Sequence, residues 1–197
     1  MKHITIILAF LMTFSTPVAA QDYDRGYAAY QAGDYATALK EFEPLAEMGV
    51  AGLQLTVGEM YHSGEGVGLD YIKAIKFYQM AADQGNAMAQ TNLGVMYKNG
   101  QGVTQNYAEA IRLYRLAAEN GNFNAQNNLA NMYHDGLGLL QSSILAHMWY
   151  NISSANGHPM AGVWRDEEVA AMTSEDLSKA QAMARECMSS GYMKCGY

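Results

Sequence analysis

Of 197 residues, half are hydrophobic and 16% are charged, with a formal net charge of −7. That balance describes a folded chain with a core, not a disordered or collagen-like one. The acidic surplus argues against nucleic acid and anionic membrane surfaces as partners, since both reward clustered Lys and Arg.

Residues 1–20 read as a cleaved signal peptide. Lys2 supplies the positive start, Ile4–Phe14 is an apolar run too short to span a bilayer, and Val18-Ala19-Ala20 is a small-residue cleavage site. The cut is expected between Ala20 and Gln21. No Cys follows it, which argues against a lipid-modified anchor. The expected location is therefore outside the cytoplasm, periplasmic or else secreted, and not membrane-spanning.

Residues 21–49 predict a helical hairpin with a tight turn. Gly26-Tyr27-Ala28-Ala29-Tyr30 leads through Gly33-Asp34 into Ala38, Phe42 and Leu45-Ala46. It looks like a tetratricopeptide unit serving as the N-terminal cap of a stack, the alternative being that it adds binding surface.

From residue 50 the chain repeats itself at an interval of 36. Gly58, Gly94 and Ala130 are spaced so, as are Met60-Tyr61, Met96-Tyr97 and Met132-Tyr133. The turns Gly64-x-Gly66, Gly100-x-Gly102 and Gly136-x-Gly138 follow the same period, then Ala74, Ala110 and Ala146, then Tyr78, Tyr114 and Tyr150. A fixed period of this length marks a stacked-repeat architecture. Within one copy, Ala89, Leu93 and Tyr97 fall on one face of a helix A, and Ala110, Tyr114, Ala117 and Ala118 on one face of a helix B. Asn99-Gly100-Gln101-Gly102 is the turn between them. Gly94 sits on the packed side of helix A, where close approach to the Ala117-Ala118 pair is the expected reason for a glycine. The copies are residues 50–85, 86–121 and 122–157.

This pattern resembles the Sel-1-like repeat family, relatives of the tetratricopeptide repeat. The resemblance is carried by Leu93-Gly94-x-x-Tyr97-x-x-Gly100-x-Gly102-Val103 and by Ala110-x-x-x-Tyr114-x-x-Ala117-Ala118-x-x-Gly121. It implies an all-α fold, an α-solenoid in which helix-turn-helix repeats stack into a right-handed superhelix. It also implies a curved inner surface that binds other proteins. Some cysteine-rich relatives are assigned β-lactam hydrolysis, but they carry a cysteine pair in each repeat, where this chain has Ala or polar residues.

The third copy departs from the others at His147-Met148-Trp149-Tyr150. Trp149 replaces Phe77 and Leu113 and reads as core, while His147 replaces Ile75 and Ile111 and reads as a core or rim histidine. Residues 158–197 predict two capping helices and a tail. Pro159 suits the first turn of a helix running to about Ala171, and Thr173-Ser174-Glu175-Asp176 opens a second running from 175 to about 189. Cys187 and Cys195, the only cysteines, read as a disulfide in an oxidising compartment.

No residue pattern predicts catalysis, a metal or a cofactor. The Gly-x-Gly turns lack the strand before and the Lys after that a phosphate loop needs. The richest polar signal lies on helix A. By analogy with tetratricopeptide geometry, the groove is lined by Leu55, Thr56, Glu59 and His62, by Thr91, Asn92, Val95 and Lys98, and by Asn127, Asn128, Asn131 and His134. The residues expected to meet a protein or peptide partner are Thr56, Glu59, Thr91, Asn92, Val95, Asn127, Asn128 and Asn131. Asn is a poor helix former, so several on one helix invite a reading as an amide ladder gripping a peptide backbone. Asn124 is a less certain member, because capping could explain it. The reading is a non-catalytic interaction scaffold; the alternatives are a cell-envelope hydrolase and a chaperone-like assembly factor.

Overall fold

The computed structural model describes residues 16–195. Among them the chain forms helices joined by short turns, with no strand. Helices α1 (Thr16–Gln31) and α2 (Tyr35–Glu47) make a first hairpin, and α3 (Ala51–Ser63) and α4 (Tyr71–Asp83) a second. Helices α5 (Ala87–Asn99) and α6 (Tyr107–Glu119) make the third, and α7 (Phe123–Asp135) and α8 (Ser143–Ala155) the fourth. Helix α9 (Ala161–Glu168), a 3-10 turn (Val169–Ala171) and α10 (Ser174–Ser189) follow. From α1 to α9 each helix packs on its neighbours in sequence, and α10 returns to pack on α8. This nearest-neighbour pattern is that of an α-solenoid. The apolar run Ile4–Phe14 proposed as a signal lies outside the described residues; α1 itself runs across the expected cut after Ala20.

Helix starts are fixed by side-chain caps that keep the repeat interval. Asp34, Asp70, Asn106 and Ser142 each accept a hydrogen bond from the backbone N–H three residues on, at the starts of α2, α4, α6 and α8. Asn86 and Asn122 do the same for α5 and α7. The cap of α7 is therefore Asn122, and Asn124 is an exposed residue of its first turn. Helices α3, α5 and α7 end on glycines in the left-handed conformation, Gly64, Gly100 and Gly136. The second turn glycine serves stacking. At Gly102 (φ +72°) a Cβ would lie 2.6 Å from the Cβ of Tyr71, at the start of the preceding helix B. The Gly-x-Gly turn is thus a seat for the neighbouring repeat.

Two buried clusters fill the stack. One runs from Ala38 and Phe42 to Leu113, the other from Ala110 to Cys195, and Tyr97 packs against both. Trp149 is fully buried in the second. A row of buried glutamines, spaced like the repeat, ties the hairpins together. Gln54, Gln90 and Gln126 each donate from Nε2 to the carbonyl of Ala46, Ala82 and Ala118 respectively, near the end of the preceding helix B. Each carbonyl also accepts the backbone N–H of Gly49, Gly85 or Gly121, so the glutamine adds a second bond at the helix end.

The C-terminal helices differ from expectation in one detail. Pro159 lies in the turn before α9 rather than in its first turn, and the His158 imidazole accepts from the N–H groups of Met160 and Ala161. Helix α10 opens on a capping box between Thr173 and Asp176. Cys187 and Cys195 form a disulfide, with Cα atoms 4.5 Å apart and both residues buried. It holds Tyr192 where its hydroxyl and the Asn156 amide bond each other at 2.8 and 3.1 Å.

Candidate functional site

The helix A residues proposed as a groove fall into distinct environments. Thr91 and Asn127, at equivalent positions of α5 and α7, are buried rather than exposed, at 5% and 6%. Thr91 bonds back to the Ala87 carbonyl, and the Asn127 Oδ1 is buried without a partner in the protein. Position 127 faces the hairpin interior, so the four amides do not form one exposed row. Thr56 is half-buried and donates to the Gly52 carbonyl.

Glu59, Asn92 and Tyr78 form one network across two repeats. The Asn92 amide lies close enough to the Glu59 carboxylate and the Tyr78 hydroxyl to favour the charged form of each. Burial raises the Glu59 carboxyl above its ordinary range, with the Asn92 amide opposing it. Burial, then the nearby Glu59 charge, also raises the Tyr78 hydroxyl. One repeat on, Val95 stands where Glu59 did, and the Tyr114 hydroxyl is buried with no partner in the protein. In the next, the Tyr150 hydroxyl donates to Asn131 Oδ1 at 2.6 Å, and burial pushes it up to about 12. Asn128 is half-buried. So Asn92 and Asn131 are each engaged within the protein.

The histidines at the ends of these helices also differ. His62 lies against the rings of Tyr71 and Tyr78. His134 pairs with Glu168, a carboxylate only 5% exposed, and so joins α7 to α9.

A cavity of about 350 Å³ opens where α1 meets α3. Tyr23, Tyr27 and Tyr30 wall it from α1, Phe42 from α2, and Leu53 and Thr56 from α3. Tyr23 and Tyr27 stack with centroids 6.2 Å apart and are 43% and 50% exposed. These tyrosines stand at positions equivalent to those expected to line a groove, and sequence reasoning did not single them out. Gly26 meets the Phe42 ring as Gly58 meets Tyr78. Aligning these contacts places Tyr23, Tyr27 and Tyr30 at the positions of Leu55, Glu59 and His62. The turn of the first hairpin is four residues shorter, which hides the correspondence from a search at 36. Spacing from Gly26 was the available signal.

The chemistry of the two cysteines is spent in the disulfide, so neither offers a thiolate nucleophile. Among the described residues, no group of His, Cys, Asp and Glu is placed to hold a metal ion, and no helix is long and apolar enough to cross a membrane.

Comparison with known proteins places this architecture. The sequence model of the Sel1 repeat matches residues 53–86, 87–122 and 124–158, more than half of the chain. No curated protein matches. Among solved structures, the chain is similar to c5321, a protective antigen present in uropathogenic Escherichia coli strains and displaying an SLR fold. The identity is 33% and the TM-score 0.68, over 74% of this chain and 32% of that one. It is also similar to a Sel1 repeat protein from Oxalobacter formigenes, at 27% identity and a TM-score of 0.69, over 80% of this chain and 66% of that one. The chain thus spans about a third of the first relative and just under two thirds of the second. Three adjoining matches, and helix hairpins at the same interval, make this chain a member of the Sel1 repeat family.

Proposed function

We propose that this chain is an exported, non-catalytic scaffold that binds a protein segment along its helix A surface. In this reading an apolar or aromatic side chain of the partner seats in the cavity walled by Tyr23, Tyr27 and Tyr30. The observation that carries it is that cavity itself: exposed, stacked tyrosines at groove positions, with Thr56 on its far wall. Tyrosines at an interface offer a large, stiff contact area with a polar tip, and so serve as anchors. The partner's backbone would continue past Thr56 toward Glu59, Val95 and the half-buried Asn128. One similar structure is a protective antigen, which accords with a place at or beyond the cell envelope.

Selection of peptides from a random library against the purified protein tests the reading. Selected peptides should carry an apolar or aromatic anchor, and Tyr27→Ser should weaken them by about tenfold or more, as loss of an interface hot spot does. Equal affinity for Tyr27→Ser and the unaltered protein would remove the groove from consideration.

A further inference from the structure

A second cavity, of about 450 Å³, lies at the other end of the described stack between α8, α9 and α10. Helix α8 gives it His147 and Asn151, one turn apart; α9 gives Arg165 and Asp166; α10 gives Gln181 and Arg185, again one turn apart. The equivalents of His147 in α4 and α6 are Ile75 and Ile111. Packing alone is met by isoleucine at that position, yet here an imidazole is buried to 2% exposure. Its Nδ1 is buried and has no hydrogen-bond partner in the protein. Burying a polar group without a bond is costly, which asks for a compensating role.

The charges of the lining leave a defined surplus. The Arg165 guanidinium bonds Asp166 at 2.7 and 2.8 Å and the Asn151 carbonyl oxygen at 3.3 Å, so its charge is matched. No ion pair joins Arg185 to a carboxylate among the described residues. Burial, then the Arg165 charge, holds His147 below its ordinary value and favours its neutral form. The lining therefore carries one more positive charge than negative, while the Glu168 carboxylate, paired with His134, lies just outside it and also acts on His147. Because Asn151 accepts from Arg165 through its oxygen, its amide N–H groups are left to donate, as are those of Gln181.

We propose that this cavity binds a carboxylate, either of a small organic acid or of a peptide C-terminus. Arg185 supplies the charge and the amides of Asn151 and Gln181 supply neutral donors, with His147 as the polar floor. Charge-assisted bonds from a guanidinium suit the planar carboxylate group. A phosphate dianion fits less well, since Asp166 stands in the wall and only one positive charge is in surplus. Val169 and Leu177 complete the lining and would cover an aliphatic substituent. The site is separate from the tyrosine cavity and does not depend on it.

Calorimetric titration of the purified protein tests the proposal with four probes: acetyl-Ala-Ala, its C-terminal amide, sodium acetate and inorganic phosphate. Acetyl-Ala-Ala should bind and shift the His147 ring resonances, and the amide should bind at least about tenfold more weakly. Arg185→Gln should lose at least about tenfold and Gln181→Ala less, both with unchanged thermal melting because both side chains are exposed. Arg112→Gln, on the distant α6, should bind as the parent does. Acetyl-Ala-Ala binding well above acetate assigns the site to a peptide C-terminus, and equal binding assigns it to a free acid. The proposal is overturned if the amide or phosphate binds as well as the free acid, if no probe binds, or if Arg185→Gln binds normally.

Discussion

Gly94 faces the ring of Tyr114: a Cβ on Gly94 would lie 2.6 Å from the tyrosine's Cε1. The close approach expected of this glycine is real, but the surface it meets is an aromatic face, not the Ala117-Ala118 pair. Tyr114 is wholly buried, so its ring cannot swing aside cheaply. Helix propensity alone would reward Gly94→Ala by about 1 kcal/mol. We expect the contact to win instead, with Gly94→Ala destabilising by about 1 kcal/mol and Gly94→Leu by about 3 kcal/mol or more. Chemical denaturation of both variants checks the order; a stabilised Gly94→Ala would contradict it.

The tyrosine row makes a second prediction, because equivalent hydroxyls have unequal surroundings. Tyr150 donates to Asn131, whereas the Tyr114 hydroxyl is buried without a partner, Val95 standing at the position equivalent to Asn131. Removing a hydroxyl that makes no bond relieves its desolvation, while removing a bonded one leaves Asn131 short. Tyr114→Phe should therefore be neutral or stabilising by about 0.5–1 kcal/mol, and Tyr150→Phe destabilising by about 0.5–1.5 kcal/mol. Parallel urea titrations give the comparison. The two variants behaving alike would mean that position 95 does not set the energetics of the row.

Much of the fold was legible because packing repeats. The interval of 36 relates Gly58 to Gly94, which each meet a tyrosine ring, and relates the turn glycines Gly66, Gly102 and Gly138, which each meet the tyrosine that starts the preceding helix B. The buried row Gln54, Gln90 and Gln126 keeps the interval too, but polarity alone gave no reason to place glutamine inside. The site was less legible. Whether Asn127 or Asn128 is buried depends on a rotation of about 100° between successive helix residues, which pattern alone does not settle. The tyrosine cavity arises from a hairpin whose short turn breaks the period. His147 read as a core or rim residue, and it is buried; its meaning comes from Arg165 and Arg185, which lie on other helices.

The disulfide yields a third prediction. Cys187–Cys195 closes a loop of 8 residues of separation, so its effect is local and at most about 2–3 kcal/mol. Cys195→Ser should loosen residues after α10 and free Tyr192 from Asn156, while the repeats keep their cooperativity. Hydrogen exchange should show lost protection near Tyr192 and unchanged protection in α3 to α6. Loss of protection throughout the stack would show instead that the tail supports the whole solenoid.

The last prediction separates the amides that hold the protein together from those available to a partner. The Asn92 amide stands beside Glu59 and Tyr78 of the preceding repeat and eases the burial of both, and its loss would leave a half-buried carboxylate without that nearby donor. Asn92→Ala should cost about 0.5–1.5 kcal/mol of stability even though alanine is the better helix former, since the lost interactions outweigh propensity. Asn128, one repeat on, sits beside no equivalent carboxylate, because that position is Val95. Asn128→Ala should leave melting unchanged or raise it slightly, and should weaken a groove-bound peptide by about 0.5–1.5 kcal/mol if its amide meets the peptide backbone. Thermal unfolding and peptide titration of the two single variants and the double variant resolve the roles. Stability loss confined to Asn92→Ala with affinity loss in Asn128→Ala fits a bridge and a contact. If Asn128→Ala binds every selected peptide normally, the partner's backbone does not run along α7, and binding is confined to the tyrosine end of the stack.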